Sequence, residues 1–288
     1  MVTARQPDKF AIVAAGGRLP VLLAKACREA GRPFFVLALD GTDTDPDLAP
    51  FEGARLPLGA FGQCIARLQA EACTAVVMAG HLTRPNFSKL ALDRKGLKLL
   101  PKLLRYAGRG DDALLRLVVD AVEQEGFTVM GADAILADLV VPVACLTKAQ
   151  PSETHRRDIA RGADVVRTLG ALDIGQAAVV VEDLVLAVEA AEGTDAMLAR
   201  CATLAPDLRG TADARRGDLV KLPKPGQDKR VDLPTIGPRT VEAAAAAGLA
   251  GIAVAGGATL LLDRTDAVAH ADAHGLFLIG FADNADAS

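Results

Sequence analysis

The sequence predicts an α/β protein with two domains, and three observations support this fold class. The chain has 288 residues, which is more than one hydrophobic core usually serves. In the first half, short apolar runs alternate with helical patterns, as in a Rossmann-like parallel sheet with helices on its faces. In the second half, two apolar runs follow each other around the pair Glu182-Asp183, which indicates a hairpin and therefore a mixed sheet.

The first half contains four apolar runs of strand length and four helical patterns between them. We predict strands at residues 10–14, 34–39, 74–79 and 127–130, and helices at residues 19–30, 60–71, 97–106 and 112–125. Because helices of this length separate the strands, the strands are expected to form a parallel sheet with helices on its faces.

The second half begins where the pattern loosens, around residues 132–154, and this places the domain boundary. We predict a first domain of residues 1–135 and a second of residues 136–288, with a ligand cleft between them. Helices are predicted at residues 156–169, 194–203 and from 240, and strands at 176–181, 184–189, 252–255, 259–262 and 276–279.

The composition restricts the class of protein. The net charge of −4 argues against a nucleic-acid partner, which normally meets a broad basic face. The five cysteines are scattered without a CxxC pair, as expected for reduced thiols in the cytoplasm. The start lacks the apolar region of a secretion signal, and no run of about 18 apolar residues could span a membrane. Contact with a membrane surface stays compatible with these features.

Residues 221–237, KLPKPGQDKRVDLPTIG, form the most informative segment, which we call the proline-rich loop. Its three prolines restrict the backbone, so that its charged side chains are held in a defined array. Clustered cations suit a phosphate-rich ligand, and interleaved aspartates can hold a divalent cation between phosphate oxygens. The alternative is a surface loop whose charges pair with one another. The charged residues are Lys221, Lys224, Asp228, Lys229, Arg230 and Asp232.

Two further loops follow predicted strands of the first half. Gly16, Gly17 and Arg18 stand where a strand turns into a helix, which suits a phosphate but equally a tight turn. His81 and Arg84 follow another strand, and the carboxyl ends of parallel strands are where open sheets bind ligands. Arg84 can hold a phosphate, whereas a lone histidine such as His81 is more often structural.

Several carboxylates stand beside glycine turns. Asp111 and Asp112 lead into a helix, where an N-cap explains one of them and the other is free to face the cleft. Glu192 and Asp195 follow a strand and can serve as Mg²⁺ ligands, although Thr194 and Asp195 also fit a helix start. His270 and His274 have the spacing of helical metal ligands, but a solvated helix face is the simpler interpretation.

No GxSxG, HExxH or Cys–His nucleophile signature is present, so covalent catalysis is not indicated. Cations, carboxylates and glycine turns together suit attack of water on phosphorus. A nucleotide-dependent oxidoreductase is one alternative, although the third glycine is missing and Asp40 is the one candidate for a ribose contact. A non-catalytic binder of a phosphorylated sugar-lipid is another.

Six stretches of the chain resemble one family, the UDP-2,3-diacylglucosamine pyrophosphatases of lipid A synthesis that are unrelated to calcineurin-like metallophosphoesterases. They span nearly the whole chain in order, and the last two are highly specific. The stretches are AAGGRLP (14–20), GHLTRP (80–85), GDDALLR (110–116), LDIGQA (172–177), AVEAAEGTDAMLAR (187–200) and KPGQDKRVDLPTIGPRT (224–240).

The resemblance implies a Mg²⁺- or Mn²⁺-dependent hydrolase of two α/β domains that close around a glycolipid nucleotide. It implies UMP and 2,3-diacylglucosamine 1-phosphate as products, with water attacking the β-phosphorus. The essential aspartate of the KPGQD motif falls on Asp228, with Lys224 and Arg230 as phosphate contacts. The family leads us to expect a Lys or Arg where His81 and Leu82 stand, so a strict requirement for His81 is not implied.

Together, the residues and the resemblance give a full set of candidate site residues. The catalytic candidates are Asp228, Lys224 and Arg230. The substrate-binding candidates are Gly16, Gly17, Arg18, His81, Arg84, Asp111, Asp112, Gln176, Thr194, Lys221, Gln227, Lys229 and Thr235. The metal candidates are Asp228, Glu192, Asp195 and Asp232. We also expect a cytoplasmic protein that can lie at the inner face of the inner membrane and can form a homodimer.

Overall fold

A computed structural model describes residues 9–82, 86–106 and 111–283, leaving out the side chains of Ser88 and Asp111. The chain divides into two compact units. The first unit comprises Met1–Ala137 and Asp228–Asp232, and the second comprises Asp138–Gln227 and Leu233–Ser288. The five residues Asp228–Asp232, here called the 228–232 segment, therefore belong to a different unit from the residues on either side of them.

The first unit is built on a sheet of five parallel strands, in the order β3-β2-β1-β4-β5. The central strand β1 pairs in register with both neighbours, since Phe10 lies beside Phe34 and beside Ala75. Its apolar residues are buried because helices cover both faces of a parallel sheet. The strands are β1 (Phe10–Ala14), β2 (Phe34–Asp40), β3 (Gly53–Pro57), β4 (Ala75–Ala79) and β5 (Thr128–Met130).

Four helices connect these strands: α1 (Leu19–Glu29), α2 (Phe61–Ala70), α3 (Arg94–Tyr106) and α4 (Asp111–Gln124). Pro20 stands in the first turn of α1, where its fixed φ suits a helix start. Asp93 precedes α3 and accepts hydrogen bonds from the backbone N–H of Gly96 (2.7 Å) and of Gln63 (2.8 Å), which fixes α3 against α2.

The second unit contains a mixed five-stranded sheet, in the order β12-β10-β8-β6-β7. β10 is parallel to β8 and β12, whereas β6 is antiparallel to β7 and β8. A two-stranded sheet pairs β9 with β11. The strands are β6 (Ala177–Val181), β7 (Leu184–Val188), β8 (Asp218–Lys221), β9 (Thr235–Ile236), β10 (Gly251–Ala255), β11 (Leu260–Leu261) and β12 (Phe277–Phe281).

The helices of the second unit are α5 (Glu153–Ala171), α6 (Gly193–Ala202), α7 (Pro238–Ala246) and α8 (Arg264–His274). The hairpin between β6 and β7 turns at Glu182 and Asp183, both with positive φ (49° and 66°). Asp158 of α5 accepts hydrogen bonds from both backbone N–H groups of this turn, at 2.9 and 2.7 Å. The left-handed turn is therefore held by a buried carboxylate.

The predicted fold class is confirmed: a parallel sheet with helices is followed by a mixed sheet with helices. Strand β3 was missed because its sequence GARLP is half exposed at the sheet edge and lacks an apolar run. Strand β8 was also missed, and the assignment of Lys221 to a loop is wrong, since Lys221 is the last residue of that strand. The predicted strand at residues 259–262 is the two-residue β11 of the small sheet.

All five cysteines are free thiols, and four of them are buried, as expected for small apolar side chains. His270 lies on α8 with its Nδ1 3.3 Å from Glu242 Oε1, and it joins no cluster of metal-ligating groups in the described residues. Among the residues that the structure describes, no helix is long and apolar enough to cross a bilayer.

Candidate functional site

Lys221 is buried at the carboxyl end of β8, with 6% of its surface exposed. Its Nζ donates hydrogen bonds to Thr194 Oγ1 (2.9 Å) and to the backbone carbonyl of Thr235 (3.3 Å). Thr194 Oγ1 in turn donates to Glu189 Oε2 (2.8 Å), and Glu189 is also buried. A buried ammonium group is costly unless it is paired and hydrogen-bonded. This chain of hydrogen bonds supplies the partners and fixes the direction of the lysine.

Lys224, three residues further on, is held by the carboxylate of Asp173, with Nζ 2.5 Å from Oδ1. The backbone N–H of Lys224 donates to Gln227 Oε1 (2.9 Å), and the N–H of Gln227 donates to the carbonyl of Lys224 (3.1 Å). Gln227 is buried, so this turn of the proline-rich loop is fixed by side-chain and backbone contacts together. Asp173 has a positive φ of 53°, directly after the end of α5.

Asp228 and Arg230 form a bidentate pair within the 228–232 segment. Asp228 Oδ1 accepts from the Arg230 backbone N–H (3.0 Å) and Nε (2.9 Å), and Oδ2 accepts from Nη2 (2.7 Å). Arg230 Nη1 also donates to Glu123 Oε1 of α4, at 2.6 Å. The hydrogen bond from the Arg230 side chain lowers the pKa of Asp228 below its ordinary value. The carboxylate is therefore ionised at neutral pH, and Val231 packs beside it on the core of the first unit.

The glycine turn after β1 lies against His81, which follows β4. Gly16 and His81 exchange two backbone hydrogen bonds, of 3.0 and 2.9 Å. A Cβ atom on Gly16 would lie 2.8 Å from Cε1 and Nε2 of His81, and Gly17 has a φ of 89°. Both positions therefore need glycine while the imidazole covers the turn. Arg18 Nη1 donates to Asp47 Oδ2 at 2.7 Å, so the first unit brings together Gly16, Gly17 and His81, with Arg18 paired beside them.

The remaining substrate-binding candidates are distributed over both units. Thr235 Oγ1 donates to the carbonyl of Leu233 (3.0 Å), and Lys229 is exposed. The side-chain oxygen of Gln176 is buried and accepts no hydrogen bond from the described residues. Asp112 lies in the first turn of α4. Arg84 and the side chain of Asp111 lie outside the described part of the chain.

The four metal candidates each have oxygen ligands of the kind that Mg²⁺ prefers, but they are divided between the units. In the first unit, the backbone N–H of Asp232 donates to the carbonyl of Asp228 (3.1 Å). In the second unit, Glu192 pairs with Arg200 (3.0 Å) and Asp195 pairs with Arg239 (2.8 Å).

A cluster of His155, Asp158 and Asp218 lies at the amino end of β8, and sequence reasoning missed it. His155 Nδ1 lies 3.0 Å from Asp218 Oδ1, yet the contact lacks the geometry of a hydrogen bond, and neither Asp218 oxygen accepts one from the described residues. Burial raises the pKa of Asp218 to about 6, and the Asp218 carboxylate raises the pKa of His155. The three groups join α5 to β8 and to the hairpin turn, so we interpret the cluster as structural.

Asp173, Glu123 and Glu189 contact Lys224, Arg230 and Thr194 and are not among the predicted site residues. Asp173 and Glu189 stand within the stretches LDIGQA and AVEAAEGTDAMLAR, so a local signal was present for them. Glu123 lies 107 positions from Arg230, and no local pattern indicates their contact.

Comparison with known proteins gives consistent matches over the length of the chain. The family model described as the LpxI N-terminal domain matches residues 9–139, and the one described as the LpxI C-terminal domain matches residues 142–279. A curated protein of Caulobacter vibrioides, named UDP-2,3-diacylglucosamine pyrophosphatase LpxI, is 50% identical over 272 residues. The match covers 94% of this chain and 97% of that protein. The resemblance inferred from the six sequence stretches is confirmed: the chain belongs to the LpxI family.

Proposed function

We propose that the chain hydrolyses the pyrophosphate bond of UDP-2,3-diacylglucosamine, releasing UMP and 2,3-diacylglucosamine 1-phosphate (lipid X) in lipid A biosynthesis. The observation that carries the proposal is the 50% identity to the Caulobacter pyrophosphatase over nearly the full length of both chains. The proline-rich loop supports it, because Lys221, Lys224 and Arg230 are each held in a fixed direction by hydrogen bonds.

The proposed reaction uses the charges of the loop in distinct roles. Water attacks the β-phosphorus, a P–O bond forms to the water oxygen, and the bond from that phosphorus to the bridging oxygen breaks, so UMP leaves. Asp228, ionised at neutral pH, accepts a hydrogen bond from the attacking water and then its proton. Lys224 and Arg230 offset the charge that develops on the phosphate oxygens, which is where electrostatic stabilisation has its largest effect.

We assign the remaining polar residues to substrate binding. Gly16 and Gly17 form the turn before α1, beside His81 and Arg18, and the start of a helix favours a phosphate. In the second unit we assign substrate contacts to the side chains of Lys221, Thr194, Gln227, Gln176 and Thr235. Further substrate contacts are assigned to Lys229, Asp112, Asp111 and Arg84. We place the reaction in the cytoplasm at the inner face of the membrane that holds the lipid. A homodimer stays a prediction, which sedimentation equilibrium would test.

Mg²⁺ or Mn²⁺ fits the chemistry of the carboxylates in this proposal. The candidates to hold the ion are Asp228 and Asp232 in the first unit and Glu192 and Asp195 in the second, and a bound ion would neutralise phosphate charge and polarise the bond to be broken. Three of these carboxylates pair with arginines in this structure, so binding of the ion would share or replace those contacts. We expect a chelator to abolish turnover and added Mg²⁺ or Mn²⁺ to restore it. Full turnover in the chelator would contradict the metal assignment.

The direct test is incubation of the purified chain with UDP-2,3-diacylglucosamine, followed by chromatography of the nucleotide. Release of UMP with equal amounts of 2,3-diacylglucosamine 1-phosphate is expected. Binding without release of UMP would favour the non-catalytic binder, and a change in NAD(P)H absorbance with substrate would favour the oxidoreductase. Either result would overturn the proposal.

A further inference from the structure

Helix α3 (Arg94–Tyr106) has an unusual surface, with exposed leucines and cations and no carboxylate. Leu97 and Leu104 are exposed for 56% and 53% of their surface, although most large apolar side chains in the described part of the first unit are buried or half-buried. The helix carries five basic residues on a chain whose net charge is −4. The five are Arg94, Lys95, Lys98, Lys102 and Arg105.

The spacing of these residues divides the helix into three faces. With about 3.6 residues per turn, Leu97, Pro101 and Leu104 form one exposed apolar stripe. The five cations lie along one side of that stripe, and all of them are exposed. A third face carries the buried Gly96, which packs against the backbone carbonyl of Gly59, just before the start of α2. Packing in the first unit therefore accounts for one face only.

We infer that the exposed face of α3 binds the surface of an anionic lipid bilayer. A helix with leucines beside a row of lysines and arginines lies in the interface of a membrane, with the leucines among the acyl chains and the cations at the headgroups. Lys95 is the one of the five that also pairs with a carboxylate in the described residues, Glu125 at 2.6 Å. The absence of any acidic residue within Arg94–Tyr106 removes the repulsion that such a surface would otherwise exert.

An anionic lipid surface explains both properties of the face together. A second copy of the chain would have to present a patch that is both apolar and acidic, in order to cover the leucines and pair with the cations. A free phosphate would not use the leucines. The inference does not depend on the proposed hydrolysis, since binding to lipid can be measured without substrate.

The test is sedimentation of the full chain with vesicles of phosphatidylethanolamine and phosphatidylglycerol, compared with vesicles of phosphatidylcholine. We expect binding to the anionic vesicles that weakens with salt and is much weaker on phosphatidylcholine. Leu97→Ser with Leu104→Ser should lower binding at least tenfold. Lys98→Gln with Lys102→Gln should lower it by about fivefold for each cation removed.

A matched control is the pair Leu184→Ser and Leu208→Ser, which removes exposed leucines from the second unit (53% and 44% exposed). Circular dichroism confirms that each variant is folded. The inference is overturned if the wild-type chain does not sediment with anionic vesicles, if the α3 variants bind as well as wild type, or if the control loses as much. Loss of self-association in the α3 variants without vesicle binding would identify a second copy as the occupant instead.

Discussion

Strand β8 has a buried charge at each end, and the two charges are held in different ways. At its amino end, Asp218 is fully buried, and its oxygens accept no hydrogen bond from the described residues. At its carboxyl end, Lys221 is nearly as buried but donates to Thr194 and to the carbonyl of Thr235. Only two residues lie between Asp218, whose oxygens accept no hydrogen bond from the described residues, and Lys221, which a hydrogen-bond network holds.

The two ends of β8 are therefore expected to have different roles, the amino end in stability and the carboxyl end in the candidate site. Burial shifts the pKa values of an ion pair, and removing one partner leaves the other charge buried and uncompensated, which lowers stability. A buried cation with fixed partners has a defined direction, which a site for phosphate needs. We therefore expect substitutions after the carboxyl end of β8 to change turnover, and substitutions at its amino end to change stability and its pH dependence.

The largest expected effect is that of Asp228→Ala. Removing the proposed base should lower the turnover of UDP-2,3-diacylglucosamine by on the order of a thousandfold or more. The free energy of unfolding should change little, because the aspartate is replaced by a small residue in a half-exposed segment. Steady-state release of UMP and urea unfolding measure the two quantities.

Asp213→Ala is the matched control, since Asp213 is exposed in a loop of the second unit. It should retain wild-type turnover. If Asp228→Ala also retained it, the functional assignment of the loop after β8 would be wrong.

Thr194→Val should have the next largest effect. Its hydroxyl accepts from Lys221 and donates to Glu189, and both of those groups are buried. Losing the bridge should lower the free energy of unfolding by about 1–3 kcal/mol, and turnover should fall with it. Thr203→Val, which removes an exposed hydroxyl bonded to a helix carbonyl, should cost less than half as much. Equal losses would mean that the network at Lys221 has no special role.

Asp173→Asn tests whether Lys224 is held in position for the reaction. We expect turnover to fall about tenfold, because a neutral amide orients the ammonium less firmly. Combining Asp173→Asn with Lys224→Gln should add little to the effect of Lys224→Gln alone, since the two residues act as a unit. Asp164→Asn, which removes an exposed partner of Arg167, serves as the control. Additive losses would show that Asp173 acts independently of Lys224.

The smallest expected effect is on the pH dependence of stability, from the amino end of β8. The pKa of Asp218 is raised to about 6 in the folded state, so its protonated form is favoured by folding. The pKa of His155 is also raised, so its charged form is favoured as well. The folded state therefore binds more protons than the unfolded chain. Stability from Asp218 is full below its ordinary pKa of 3.8 and is lost as the pH rises through about 6, and stability from His155 is lost as the pH rises above 6.5.

Urea unfolding between pH 5 and 8 measures this slope. The free energy of unfolding of the wild type minus that of Asp218→Asn should fall as the pH rises. Asp213→Asn should leave the slope as it is in wild type. If that difference in unfolding free energy rose with pH, the raised pKa values assigned to Asp218 and His155 would be wrong.

Sequence patterns were most informative where the signal is local. The apolar runs of β1 and β4 and the acidic hairpin turn indicated both sheets, and the prolines and cations indicated the loop that contains Lys224 and Asp228. The partners of those residues could not be predicted, because Asp173 contacts Lys224 across 51 positions and Glu123 contacts Arg230 across 107. Such contacts depend on the packing of whole elements, as does the meeting of His155 with Asp218.

The central claim, that water cleaves the pyrophosphate at the β-phosphorus, is tested most directly by hydrolysis in ¹⁸O water. Mass spectrometry of both products should find one ¹⁸O atom in 2,3-diacylglucosamine 1-phosphate and none in UMP. Label in UMP would place the attack on the other phosphorus, and product without label in either phosphate would rule out hydrolysis by water.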